Sequence, residues 1–228
     1  MPEVLAPAGS LESVYSAVRC GADGVYAGGK LFSARANAVN FSDEELEAAV
    51  KYCHLHGVKI YRAMNTVIFD SEAEEFCKEV RKSAEAGVDG LIIQDIGGAY
   101  LAAATVPGMP LHGSTQMTVH SLPGVQLCAA MGLKRVVLSR ELSREEIRYI
   151  CSHSPIEIEV FVHGALCMCY SGQCYLSSVI GRRSGNRGQC AQPCRLPYGY
   201  GRFEPARYPL SLKAVSYTHL TLPTSLSV

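Results

Sequence analysis

Gly87-Val88-Asp89-Gly90-Leu91-Ile92-Ile93-Gln94-Asp95 is the stretch whose reading decides the fold. A turn-forming Gly leads into a short apolar run that ends in polar residues, and an amphipathic segment follows. The run is continuous rather than alternating, which fits a strand covered on both faces, as in a parallel sheet. The same unit recurs as Gly21-Ala22-Asp23-Gly24-Val25-Tyr26-Ala27-Gly28 and as Gly132-Leu133-Lys134-Arg135-Val136-Val137-Leu138-Ser139-Arg140. Between the runs, helix signals are readable. Ser42-Asp43-Glu44-Glu45 opens one helix, with Ser42 as N-cap and Glu45 at the capping-box position, and Gly57 closes it. Ser143-Arg144-Glu145-Glu146 opens another in the same way.

Working outward gives strands at about Val4–Ala6, Gly24–Gly28, Lys59–Asn65, Gly90–Gln94, Leu111–Gly113, Arg135–Leu138 and Ile156–Val162. Strands that alternate with helices imply right-handed crossovers and a parallel sheet. No dinucleotide glycine motif follows the first strand, so a TIM-barrel-like parallel (β/α) barrel fits better than a doubly wound sheet. The fold class is therefore α/β, with about seven strands and no evident eighth, as if the chain were truncated. Barrel units are expected over residues 1–165, and a cysteine-rich segment over 166–213. Residues 214–228, rich in Thr, Ser and Leu, lack helix or strand logic and read as a non-native tail. An open position is expected where an eighth strand belongs.

The chain has 228 residues, zero formal net charge and 10 cysteines. The neutral total announces neither a nucleic-acid nor a membrane partner, although a local basic patch is compatible with it. No apolar run approaches the roughly 20 residues of a membrane span, and Met1-Pro2-Glu3-Val4 lacks the start of a signal peptide. A soluble, cytoplasmic protein is expected. Disulfides are uncommon in reducing cytosol, so clustered cysteines there point to metal or catalysis. Cys20, Cys53, Cys77, Cys128 and Cys151 are scattered among apolar neighbours and read as small buried hydrophobes. Cys167, Cys169, Cys174, Cys190 and Cys194 crowd into one segment.

That segment contains Glu159-Val160-Phe161-Val162-His163-Gly164-Ala165-Leu166-Cys167, then Tyr170-Ser171-Gly172-Gln173-Cys174. Asn186-Arg187-Gly188-Gln189-Cys190 and Cys194-Arg195 follow. Soft thiolates suit zinc or an iron–sulfur cluster. Structural zinc usually takes tighter pairs, whereas these wider gaps with Gly and Ser let a loop wrap a larger group. Spacing leaves both open.

The stretch resembles the signature of the collagenase-like U32 peptidase family, and the likeness extends over nearly everything before residue 214. In that family four cysteines ligate a 4Fe-4S cluster, which implies Cys167, Cys174, Cys190 and Cys194 as ligands and leaves Cys169 as a neighbour. The resemblance implies oxygen-independent hydroxylation of RNA bases, with prephenate as a possible co-substrate. The branch most similar acts on a cytidine in large-subunit ribosomal RNA, and a tRNA-uridine branch follows closely. RNA is then the expected partner, with a second subunit of the same family also possible.

Barrel active sites lie at the C-terminal ends of the strands. The polar residues there are Asn65, Gln94, Asp95, His112, Ser114, Gln116, Arg140, Glu141 and His163, each matching a polar position of the family pattern. His163 is the candidate for proton transfer or a hydrogen bond to a cluster sulfur. Asn65, Asp95, Gln116 and Glu141 are further catalytic candidates. His112, Ser114, Arg140, Arg187 and Arg195 are candidate substrate contacts, the arginines for a phosphate or a carboxylate. The plainer reading has such residues capping helices or bonding loop backbone. A peptidase is the alternative function. No nucleophile-elbow or zinc-protease helix motif supports it, and Cys167 as a nucleophile beside His163 leaves three cysteines unexplained. A non-catalytic cluster-bearing subunit is the third reading.

Overall fold

The computed structural model describes residues 2–34, 40–164, 167–198 and 225–227. Seven parallel strands run around a ring: β1 (Glu3–Ala8), β2 (Gly24–Gly28), β3 (Lys59–Met64), β4 (Gly90–Ile93), β5 (Leu111–Gly113), β6 (Arg135–Val137) and β7 (Glu157–Phe161). Six helices alternate with them: α1 (Leu11–Arg19), α2 (Asp43–Leu55), α3 (Ala73–Ala86), α4 (Ile96–Thr105), α5 (Leu122–Ala130) and α6 (Arg144–His153). A short α7 (Leu176–Gly181) lies in the cysteine segment. The TIM-barrel-like α/β architecture expected from the sequence is the one observed.

The recurring Gly-x-Asp-Gly unit has a physical basis. Gly21, Gly87 and Gly132 take φ of +87°, +83° and +88°, left-handed values that end a helix cheaply only at Gly. Two residues later an Asp stitches the new strand to the previous one. The amide of Asp23 donates to the Val4 carbonyl while its carboxylate accepts from the Val4 amide at 2.8 Å. Asp89 does the same to Ile60, at 2.7 Å from carboxylate to amide. At the third copy Lys134 keeps only the backbone half, donating to the Leu111 carbonyl. The capping boxes at Ser42–Glu45 and Ser143–Glu146 both form.

Two apolar layers result. Outward strand residues such as Val25, Ile60, Leu91, Val136 and Ile158 pack under Val14, Ala49, Phe76, Val80 and Val125 of the helices, all essentially buried. Cys53 and Cys128 belong to this layer, as expected of small hydrophobes, whereas Cys77 and Cys151 are half-buried and Cys20 is exposed. Burial pushes the Cys53 thiol up to about 11. Inside the ring a smaller cluster of Leu5, Tyr61 and Ile92 forms, with Tyr26 against it.

The expected open position between β7 and β1 is not open. β8 (Ser225–Ser227) lies there, antiparallel to both neighbours, pairing Val4 with Leu226 and Val160 with Leu226. Unpaired strand edges accept any extended segment that supplies ladder partners, so three residues of reversed direction can close the ring without forming an eighth βα unit. The remaining expectations about residues 214–228, and about 199–213 of the cysteine segment, lie outside the described residues.

Candidate cluster site at the barrel mouth

The C-terminal ends of the seven parallel strands open into one cavity of about 700 Å³. Its walls include Asn65, Ser114, Gln116, Arg140 and Glu159 from the barrel, and Cys167, Cys169, Cys174, Cys190 and Cys194 from the segment laid across it. Two separate contacts hold that segment down, and a third braces it internally.

The first is at Ser171-Gly172. The Ser171 amide donates to Glu141 Oε1 at 3.0 Å, and its hydroxyl donates to the same carboxylate at 3.2 Å. Arg140 reaches the Ser171 hydroxyl at 3.4 Å, and the Thr118 hydroxyl donates to the Ser171 carbonyl at 2.7 Å. Gly172, at φ +74°, lies so close to the barrel that a Cβ there would sit 2.0 Å from the Gln116 carbonyl oxygen. The second contact is at Asn186-Arg187-Gly188. Arg187 donates to Glu72 at 2.8 Å and to the Val67 carbonyl at 3.0 Å, stacks over Phe69, and the Asn186 carbonyl accepts from the Val67 amide. The third is internal: the Ser177 hydroxyl accepts from the Ala191 amide at 2.9 Å, which ties the Cys190 strand of the loop to α7.

These contacts sort the residues singled out from the sequence. Asn65, Ser114, Gln116 and Arg140 do line the cavity. Glu141 sits beside it, and its carboxylate is engaged in holding Ser171. Asn65 also accepts from the Ala34 amide at 2.9 Å. Asp95 caps α4, accepting from the Gly98 amide at 2.8 Å, and is not among the lining residues. Arg187 is committed to Glu72, whose carboxyl it holds below the usual range, rather than turned to the cavity as an anion grip. His163 is exposed and outside the cavity wall. Arg195 is half-buried next to Cys194. Gln94 is buried outside the cavity wall.

His112 lies below the cavity, in the barrel lumen, 4.6 Å from the Tyr61 ring. Burial drives its pKa down to about 3, so it stays neutral at any working pH. The lumen also holds what the sequence reading did not single out as a site. Arg135, 2% exposed, meets Glu3 and Glu157 at 2.7 Å and Glu159 at 3.8 Å. Glu157 and Glu159 alternate on β7, and that period of two was the available signal of a polar lumen.

The four candidate ligand thiols are neighbours. Burial raises the Cys194 thiol, Arg195 opposes this, and Cys167, Cys190 and Cys174 each raise it further. The Gln192 amide donates to Cys190 Sγ at 3.3 Å, the kind of N–H to sulfur bond that stabilises a ligating thiolate. Among the described residues no three Cys, His, Asp or Glu side chains converge tightly enough for a single metal ion. A prediction follows for the second contact: Arg187→Ala should leave the barrel folded but speed amide exchange several-fold at 184–190, read by hydrogen-exchange mass spectrometry. Unchanged exchange there would show that Glu72 does not anchor the loop.

Among the described residues no helix is long and apolar enough to cross a membrane. The chain is 40% identical over 196 residues to the 23S rRNA 5-hydroxycytidine C2501 synthase of Escherichia coli (strain K12), covering 86% of this chain and 29% of that protein. It is 41% identical over 198 residues to the tRNA hydroxylation protein P of the same strain, covering 86% and 44%. A collagenase of Porphyromonas gingivalis (strain ATCC BAA-308 / W83) is 36% identical over 208 residues, covering 86% and 50%. The chain thus spans half or less of the length of these relatives. A solved U32 peptidase structure shares the fold, with a TM-score of 0.58 at 15% identity over 68% of this chain and 66% of that one. The model of peptidase family U32 matches residues 9–220, and with that span the chain belongs to this family.

Proposed function

We propose that this chain is the cluster-bearing barrel of an enzyme that hydroxylates a pyrimidine base in RNA, a ribosomal cytidine or a tRNA uridine. The observation that carries the reading is the gathering of Cys167, Cys174, Cys190 and Cys194 on the wall of one cavity at the barrel mouth. Relatives named for ribosomal and transfer RNA hydroxylation, at 40% and 41% identity, support the substrate class. The donor set fits a 4Fe-4S cluster: four soft thiols on the wall of one cavity and an N–H bond to Cys190. Bound there, the cluster would supply one-electron chemistry beside the substrate.

The residues of the chain do the rest. Glu141, Thr118 and Gln116 fix the Ser171-Gly172 turn and with it the approach of Cys167 and Cys174. Arg140 is the one Arg or Lys among the described lining residues, and it is the natural partner of a carboxylate co-substrate such as prephenate. A base taken out of its stack fits a cavity of about 700 Å³. Exposed Arg182 and Arg183 on the rim of the cysteine segment are placed for phosphate contacts. A partner subunit of the same family and a cytoplasmic setting accord with this reading.

The test is the RNA itself. Deleting the parent gene should remove one hydroxylated pyrimidine from ribosomal or transfer RNA, read by nucleoside mass spectrometry. A deletion strain that keeps every hydroxylated base, together with gelatin cleavage by anaerobically loaded protein, would put the peptidase reading in its place. Reversal of charge at Arg182 and Arg183 to Glu should weaken RNA binding by tenfold or more at low salt while leaving the cluster absorption intact. Unaltered binding would move the RNA to another face.

A further inference from the structure

The surface around the cavity mouth differs in charge and polarity from the rest of the barrel. Residues 160–203 contain five Arg and no Asp or Glu, in a chain whose formal net charge is zero. Arg187 is paired with Glu72 at 2.8 Å, and Arg195, half-buried beside Cys194, is also engaged. Arg182 and Arg183 stand exposed just past α7, with Arg183 Nε donating to the Gln189 carbonyl at 3.1 Å. Among the described residues, eight of the fifteen exposed large hydrophobic side chains also fall within residues 162–198. Exposed apolar side chains gathered in this way mark a surface that is covered in use.

Four of the eight also line the cavity: Met168, Tyr170, Tyr175 and Val179. The two tyrosines are 65% and 67% exposed, so each belongs both to the cavity wall and to the outer surface. They flank a single turn, closed by the Gln173 amide donating to the Tyr170 carbonyl at 3.1 Å. The thiols that precede them in the chain, Cys169 and Cys174, meet. The turn is fixed to the barrel by the Ser171 amide on Glu141 at 3.0 Å and by the Gln173 side-chain amide on the Thr118 hydroxyl at 3.0 Å. An aromatic surface held in place before binding avoids much of the ordering cost that a mobile one incurs.

We propose that Tyr170 and Tyr175 form a stacking platform at the cavity mouth for the bases that flank the target in a single-stranded stretch of RNA, with Arg182 and Arg183 on its phosphates. This rests on the RNA reading above and adds the residues that select an unpaired strand. The faces of unstacked bases lie on aromatic rings, whereas a duplex hides those faces within its own stack. The charge of the segment decides between RNA and a protein partner. The core of a protein interface is depleted of charge, but here arginines without any acidic neighbour in the segment adjoin the apolar side chains, which complements a polyanion.

The full chain, purified anaerobically with its cluster, would be titrated by fluorescence anisotropy with a single-stranded uridine oligonucleotide and with an abasic strand of equal length. Tyr170→Ala and Tyr175→Ala should each weaken binding of the uridine strand about tenfold, leaving the abasic strand and the salt dependence as in wild type. Tyr170→Phe and Tyr175→Phe should bind as wild type does. Joint Arg182→Gln and Arg183→Gln should instead weaken both strands alike and flatten the salt dependence. Dihydrouridine, whose saturated ring is not flat, should weaken wild-type binding as the alanines do, and it decides alone if the variants fail to fold. Unchanged affinity in the alanine variants, or equal losses for the two strands, overturns the platform and leaves the RNA reading standing. A duplex bound as tightly as the single strand does the same. Self-association that the alanines abolish while RNA binding persists overturns it too, and assigns the surface to a second copy of the chain. Binding of neither strand by wild type removes both readings.

Discussion

Alanine at Cys167, Cys174, Cys190 or Cys194 is expected to abolish iron binding, whereas Cys169→Ala should leave iron and sulfide content unchanged. The four thiols lie at the surface of the barrel mouth, exposed or half-buried, so the substitutions remove ligands without opening the core. Each removal would leave a cluster held there one thiolate short. Cys169 makes the comparison strict. It lines the same cavity, its thiol meets Cys174, and burial raises it, yet it is not one of the four proposed ligands. Iron, sulfide and visible absorption of anaerobically purified protein decide the matter. Full cluster content in any one of the four variants, or its loss in Cys169→Ala, would redraw the ligand set.

Gly172→Ala should be the most damaging change that touches no candidate ligand. Its φ of +74° costs an L-residue about 1–2 kcal/mol. The larger cost comes from the 2.0 Å approach of the new Cβ to the Gln116 carbonyl, a backbone atom that cannot swing away. Separation of the two segments strains or breaks the bonds from Ser171 to Glu141 and Thr118, of which the charged one is worth about 1.5–3 kcal/mol. The sum is roughly 3–5 kcal/mol, confined to the docking of the cysteine segment. Circular dichroism should show an intact barrel while cluster content falls steeply. Gly181→Ala is the control, since nothing lies within 4 Å of its added Cβ. Equal cluster content in the two variants would show that Gly172 is not the contact that seats the loop.

The seven strands were legible because their physics is local. Continuous apolar runs, left-handed Gly stops and Ser-x-x-Glu caps each act within a few residues, and the structure repeats them at Gly87, Ser42 and Ser143. Asp23 and Asp89 were visible as repeats, but their work is not local: each bonds a strand lying 19 or 29 residues earlier. The roles of the polar residues at the strand ends were less legible for the same reason. Arg187 looked like an anion-binding residue until Glu72, 115 residues away, was found beside it. Glu141 and Asp95 looked catalytic, and the fold engages one with Ser171 and the other with Gly98.

What the sequence by itself determined is the order of βα units and the crowding of five cysteines into one segment, since both are carried by residue type and short spacing. Tertiary structure alone decided which of the polar side chains share a cavity. It also decided that Ser225–Ser227 closes the ring, because an open sheet edge pairs with whatever extended segment reaches it. The place of Glu159 above Arg135 was likewise set by the barrel. Inward and outward positions alternate along β7, but only closure of the ring brings Glu3, Glu157 and Glu159 around the buried Arg135, where their charges compensate its own.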